Sequence, residues 1–237
     1  MCMAVIKKIL TGSGSIDNIL DGGISPETVT LIYGEPETGK TTLATQCTVN
    51  CAMQGYKTLF VDCDSTFAAV RLSQIASEKF DEIADLIILV KPNDFNEQAT
   101  VIDRLEEYLA KNFGLVVVDT ITSLYRFKVA ESSGKAFGLN RELNRQMALL
   151  AQIAKTQKIA VVATSQVRSV FNETYVSVEP VATRVLKFWA DTIIALKPTE
   201  NSQIIKAVIE KTPKKVQPIT CHLKIEKTGI HDYVLHH

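Results

Sequence analysis

Residues 34–41, Gly34-Glu35-Pro36-Glu37-Thr38-Gly39-Lys40-Thr41, complete the spacing G-x-x-x-x-G-K-[ST] and follow the apolar run 29–33. A loop of this kind works only between a buried strand and the start of a helix, so it dictates a strand–turn–helix at the heart of an α/β fold. Glycines let the backbone wrap a phosphate, successive N–H groups point inward, and the helix opening at Gly39 or Lys40 presents its positive end. Lys40 is then expected to reach the β- and γ-phosphates of a nucleotide, with the Thr41 hydroxyl on Mg²⁺. Gly34, Glu35, Pro36, Glu37, Thr38, Gly39, Lys40, Thr41 and Thr42 form the expected nucleotide-contacting set.

The rest of the chain agrees with that frame. Short apolar runs at 29–33, 58–62, 86–90, 115–119, 159–164, 192–196, 204–209 and 223–225 read as strands. Between the first six lie stretches long enough for helices, among them 41–54 and 95–111, the second introduced by Pro92 and an Asp94-x-x-Glu97 capping pattern. Such alternation predicts a mainly parallel twisted sheet flanked by helices on both faces, with right-handed crossovers. The last three runs are closely spaced and separated by turn residues, which predicts an antiparallel C-terminal edge. Residues 126–140 and 167–183 show weak periodicity and are expected to be long loops. At 237 residues the chain suits one domain, 1–237.

Lys plus Arg and Asp plus Glu number 26 each, which excludes a histone-like basic protein and confines any nucleic-acid surface to a local patch. Five cysteines (Cys2, Cys47, Cys51, Cys63, Cys221) with no C-x-x-C pair suit buried free thiols in a reducing cytoplasm. No run approaches the roughly 20 apolar residues of a membrane span.

A phosphate loop needs an acidic partner for Mg²⁺ at the end of a hydrophobic strand, and Leu115-Val116-Val117-Val118-Asp119 supplies Asp119. Hydrolysis needs a carboxylate to orient water, and Val61-Asp62-Cys63-Asp64 offers two. Gln166, after the strand at 159–164, is placed to sense the γ-phosphate.

Taken together, Thr11-Gly12-Ser13-Gly14-Ser15-Ile16-Asp17, Gly22-Gly23-Ile24, the phosphate loop, VDCDSTFAAVRL (61–72), KPNDFNEQ (91–98), VVVDTITSLYR (116–126), LNRQ (143–146) and TSQV (164–167) resemble the RecA/RadA recombinase ATPase core. Within that family the chain is most similar to the short archaeal RadB-like paralogues. The resemblance implies a RecA-type core that binds ATP and Mg²⁺ and acts on DNA as an accessory or regulator of the main recombinase in homologous recombination and repair. It assigns Lys40 and Thr41 to the phosphates and Mg²⁺, Asp119 to the metal-binding strand end, Gln166 to the γ-phosphate relay and Arg71 to packing on the adenine. The family's catalytic glutamate aligns with Asp64. An aspartate is shorter by one C–C bond, about 1.5 Å, so hydrolysis is expected to be weak or slow and the nucleotide mainly a conformational ligand. Ser165 stands where the recombinases usually have Asn.

In such cores the stretches near 126–140 and 167–183 approach single-stranded DNA. Arg126, Lys128, Lys135, Arg141, Arg145 and Arg168, then Arg184 and Lys187, are interleaved with Phe127, Phe137, Phe171 and Tyr175. Cations neutralise phosphates and aromatics stack on unpaired bases, so these are the expected DNA contacts, opposed by Glu131, Glu173 and Glu179. The chain is also expected to lack the N-terminal helical domain and the Phe-x-x-Ala linker of RadA-like recombinases, which argues against robust filaments while leaving self-association open. Thr212-Pro213-Lys214-Lys215 lies where recombinases cap a neighbour's ATP with an acidic residue, and here it is basic. The competing readings are a KaiC-like ATPase switch acting through protein partners without DNA, and a kinase on a phosphate-loop scaffold.

Overall fold

Every residue of Val29–Gly34 (β1) is buried, as in a strand covered on both faces. In the computed structural model, which describes residues 6–109, 112–132, 134–171, 176–214 and 217–234, and only backbone between 167 and 181, β1 is the middle strand of a nine-stranded sheet. The other strands are Lys57–Asp62 (β2), Ile87–Val90 (β3), Phe113–Asp119 (β4), Ala160–Ser165 (β5), Val167–Phe171 (β6), Val176–Pro180 (β7), Thr192–Pro198 (β8), Ile204–Lys211 (β9), Ile219–Glu226 (β10) and Gly229–Asp232 (β11). Their order across the large sheet is β11-β10-β9-β8-β1-β5-β4-β2-β3, with β6 and β7 forming a separate hairpin. Strands β8, β1, β5, β4, β2 and β3 run parallel, and β9, β10 and β11 add an antiparallel edge.

The continuous apolar runs arise because neighbouring residues go to opposite layers. Leu31, Val116 and Val161 face Phe95, Leu143, Met147 and Leu150, whereas Ile32, Val117 and Val162 face Leu43, Ala44 and Cys47. The first layer is built by the helices Phe95–Asp103, Ala136–Gln157 and Thr183–Trp189, the second by Lys40–Met53 with the short Gly14–Ile19. In Ala136–Gln157 the buried residues Leu143, Gln146, Met147, Leu150, Ala151, Ile153 and Ala154 recur at three- and four-residue steps, a single stripe on one side of the helix.

The C-terminal edge is tied back to the phosphate-loop helix. The buried amide of Gln46 donates to the Ile230 carbonyl (3.0 Å) and accepts from the Ile230 N–H (2.7 Å), serving β11 as a neighbouring strand would. Ser13 Oγ and the Ser15 N–H donate to the Asp232 carboxylate, while Thr11 donates through both N–H and hydroxyl to Asp17 Oδ1. The Thr11–Asp17 motif thus joins the N-terminal segment to the last strand.

Three expectations change. Residues 126–140 are not a long loop: Ser123–Glu131 is a helix, and Ala136–Gln157 begins after a short break. Ser123–Glu131 has no fully buried residue, so it shows no apolar stripe for sequence to reveal. Residues 167–183 contain the β6–β7 hairpin rather than an irregular loop. The stretch 95–111 divides at Arg104 into Phe95–Asp103 and Leu105–Tyr108, and residues 110 and 111 lie outside the described residues. Cys47, Cys51 and Cys63 are buried free thiols and Cys221 is half-buried; burial pushes Cys51 up to about 11. Cys2 lies outside the described residues. Among the described residues no helix is long and apolar enough to cross a membrane.

Candidate functional site

The C-terminal ends of β1, β4, β2 and β5 meet where the strand order reverses, the place at which an open parallel sheet offers a crevice. Gly34 ends β1 because nothing larger fits: a Cβ there would lie 2.3 Å from the Leu196 carbonyl oxygen and 2.6 Å from Thr38 Oγ1. Gly39 has φ +85°, in the left-handed region. Between them the Thr38 hydroxyl (2.8 Å) and the Lys40 ammonium (2.6 Å) both donate to the Glu35 carbonyl, closing the loop around the lysine. As N-cap of Lys40–Met53, Gly39 brings no capping side chain, so the first-turn N–H groups and the positive helix end stay available to an anion. Burial pushes the Lys40 pKa down; Asp119, Asp64 and Glu35 act in the opposite direction.

Asp119 is fully buried at the end of β4. One of its oxygens accepts from the Thr164 hydroxyl of β5, and the other, Oδ2, is buried with no hydrogen-bond partner. Burial pushes this carboxyl up, the bonded Thr164 hydroxyl and the nearby Thr41 hydroxyl, which is not within hydrogen-bonding geometry of Oδ2, pull it down, and the Asp64 and Asp62 charges push it up again. A buried acceptor left unmet costs roughly 1–3 kcal/mol. No cluster of three or more His, Cys, Asp or Glu among the described residues forms a self-sufficient metal site. One carboxylate and one hydroxyl beside an anion-binding loop are, however, the donor set that Mg²⁺ takes when phosphates supply its other ligands. The residues present therefore fit Mg²⁺·ATP.

The two acidic residues after β2 are placed differently. Asp62 is fully buried and accepts from the N–H groups of Thr66 (3.0 Å) and Phe67 (3.1 Å), with Lys91 Nζ at 3.5 Å, so it anchors the following loop. Asp64 is half-buried, and its Oδ2 accepts from Thr120 Oγ1 (3.0 Å) and from Gln166 Nε2 (3.4 Å). Gln166 is itself held from behind: its N–H donates to Thr122 Oγ1 (3.3 Å), and Ser165 Oγ donates to its carbonyl (2.8 Å). The Gln166 side-chain oxygen accepts from Arg126. Lys40, Asp119, Asp64 and Gln166 thus gather at one end of the sheet. Arg71 donates to the carbonyls of Lys227 (2.6 Å) and Glu226 (2.8 Å), capping the β10–β11 turn, with Thr42 Oγ1 at 3.5 Å.

The candidate DNA residues separate into groups. Arg126 lines a cavity of about 690 Å³ with Tyr125, Phe137, Asn140, Thr183 and Arg184, between Ser123–Glu131, the start of Ala136–Gln157 and the start of Thr183–Trp189. Lys135 and Arg141 are exposed nearby in sequence, and Phe137 is 83% and Phe127 65% exposed. Lys128 pairs with Glu131 at 3.5 Å. Arg145 is turned to two carboxylates, Asp103 and Glu142, and Lys187 to Glu210, so these cations already have anionic partners. Arg168 and Phe171 lie on β6 with side chains outside the description; Glu179 shares that status on β7; Tyr175, Glu173 and Lys215 lie outside the described residues.

Sequence spacing does not mark Thr120, Thr164, Thr122 or Gln46. Their signal is weak but real: polar residues directly following buried Val-rich runs, or inside an otherwise apolar helix face, need a partner.

The residue profile of the Rad51 family matches residues 3–233. The DNA repair and recombination protein RadB of Methanobrevibacter smithii is 39% identical over 205 residues, covering 85% of each chain. That of Methanothermobacter thermautotrophicus is 34% identical over 223 residues, covering 91% of this chain and 92% of its own. A crystal structure of the RadB recombinase superposes with a TM-score of 0.81 at 34% identity, covering 95% of this chain and all of that one.

Proposed function

The chain belongs to the Rad51 family as a RadB-like member, and on that premise we propose that it is an ATP-binding, DNA-interacting accessory protein of homologous recombination and repair. We read residues 1–237 as one RecA-type ATPase core. The observation that carries the nucleotide half of this reading is the unmet Asp119 Oδ2 beside a complete phosphate loop. The relatives' names, DNA repair and recombination proteins, support the recombination half. They lend nothing to a KaiC-like switch acting without DNA.

Bound Mg²⁺·ATP supplies a phosphoanhydride and a compact charge whose presence or loss the protein can register. Lys40 and the first-turn N–H groups of its helix would hold the phosphates, and Thr41 and Asp119 would hold the metal. Asp64 is the carboxylate that orients water, and Gln166 presents its amide N–H to the same space. Two features make hydrolysis slow. Asp64 is about 1.5 Å shorter than a glutamate, and its Oδ2 already receives two donors, so less of the carboxylate is left to align a nucleophile. With hydrolysis slow, the chain's residues at this site would respond to bound nucleotide mainly through a change of conformation.

Arg126, Arg184 and the exposed Phe137, which line the 690 Å³ cavity, supply the chemistry of a sequence-tolerant single-strand surface, with the exposed Phe127, Lys135 and Arg141 nearby in sequence. The main recombinase or another recombination protein is the expected protein partner. The reading is tested by titrating the protein with a fluorescent ATP analogue: Lys40→Ala is expected to weaken binding at least about tenfold, the size of a lost charge-assisted hydrogen bond. Unchanged affinity would refute the site.

A further inference from the structure

The Gln166 amide has two chemically opposite ends and the structure gives each a different neighbour. Its oxygen accepts from the Arg126 guanidinium on the outer side, and its Nε2 points to Asp64 Oδ2 at 3.4 Å on the inner side. Guanidinium nitrogens only donate, so contact with Arg126 is possible for the amide oxygen and not for the NH₂. Capture of the oxygen therefore fixes the flip of the whole amide, with the donor end turned toward Asp64 and the phosphate loop. Arg126 also lines the cavity between Ser123–Glu131, Ala136–Gln157 and Thr183–Trp189. One side chain spans the two regions.

From this geometry we infer that Arg126 is a positioning residue for the nucleotide site, which holds Gln166 with its NH₂ facing inward and so makes the cavity mouth part of γ-phosphate recognition. The inference rests on the nucleotide reading above and adds a residue and a direction to it. A guanidinium has five N–H donors, so Arg126 can serve an incoming phosphate oxygen while keeping Gln166, or exchange one for the other. Where an anion displaces Gln166 from Arg126, the amide that faces the nucleotide loses the contact that fixes its flip. By linkage the nucleotide alters anion affinity by the same factor.

The test is the ratio of affinities for fluorescent ATP and ADP analogues with Mg²⁺, measured without DNA and then with a saturating single-stranded oligonucleotide. Wild type is expected to prefer the triphosphate. Arg126→Ala and Gln166→Ala should each reduce that preference by a similar factor, about three- to tenfold, and the double variant should reduce it no further. In the measurement without DNA, Arg184→Ala removes an equal charge from the same cavity but no contact to Gln166 and should leave the ratio unchanged, which separates positioning from a general loss of positive potential. Matching melting curves of the nucleotide-free variants exclude a folding defect. An Arg126→Ala protein with the wild-type ratio, or additive effects in the double variant, would overturn the inference. Adding oligonucleotide should shift the ratio in wild type and not in Arg126→Ala; equal shifts in both overturn the link to the cavity. Failure of both analogues to bind wild type would instead refute the nucleotide reading itself.

Discussion

Asp62 and Asp64 stand two residues apart and do different work. Asp62 spends both oxygens on the loop that follows it, and Asp64 turns to Thr120 and Gln166. The shorter side chain at 64 is testable by lengthening it: Asp64→Glu is expected to raise phosphate release several-fold, and no gain would place the defect elsewhere in the site. Asp119 makes a second prediction. Its folded pKa is raised above the ordinary 3.8, chiefly by burial. A carboxyl raised in this way adds stability below its unfolded value and loses it as pH climbs through the folded value, so at neutral pH the buried anion is a net cost. Asp119→Asn should therefore raise the melting temperature of the metal-free protein near pH 7, with the gain shrinking toward pH 4, while removing any stabilisation by Mg²⁺·ATP. Thermal melts over that range with and without ligand check both halves. Gly34 to Thr41 and Asp119 can be picked out from the sequence because local spacing marks them. Thr120 and Thr164 cannot, because each acts on a carboxylate 56 or 45 positions away, a contact that only the strand order creates.

Elements follow the same division. The buried strands and the helix Lys40–Met53 announce themselves because burial dictates composition, and the alternation of strand with helix gives the parallel sheet. Ser123–Glu131 is silent because it has no fully buried residue, and β11 is silent because it is four residues long. What places β11 is Gln46, two-pronged on the Ile230 backbone and so close to Gly12 and Gly229 that a Cβ on either would collide with it, at 2.4 and 2.7 Å. Gln46→Met keeps the volume and loses both hydrogen bonds. It should cost about 2–4 kcal/mol, since two buried backbone groups lose their partner. Denaturant unfolding measures this, and a cost near zero would show that β11 is held by its pairing with β10 alone.

For the whole molecule, equal numbers of acidic and basic residues leave DNA affinity to a local surface. Arg126 and Arg184 line the cavity, and Lys135 and Arg141 are exposed on the adjoining segment. Arg145 and Lys187, equally suggestive in sequence, are engaged with carboxylates. Two to four phosphate contacts imply a log–log salt slope of roughly −1.5 to −3 on a single strand, at about −0.7 per phosphate. In the proposed function one end of the sheet reads a nucleotide, and the adjoining surface, joined to it through Gln166 and Arg126, reads a polyanion. Its most direct test is fluorescence anisotropy of a labelled single-stranded oligonucleotide titrated with the protein at two salt concentrations, with and without ATP and Mg²⁺. Modest binding that weakens with salt and changes when ATP and Mg²⁺ are added is the expected result; binding indifferent to nucleotide, or no binding under any of these conditions, would contradict the proposed function.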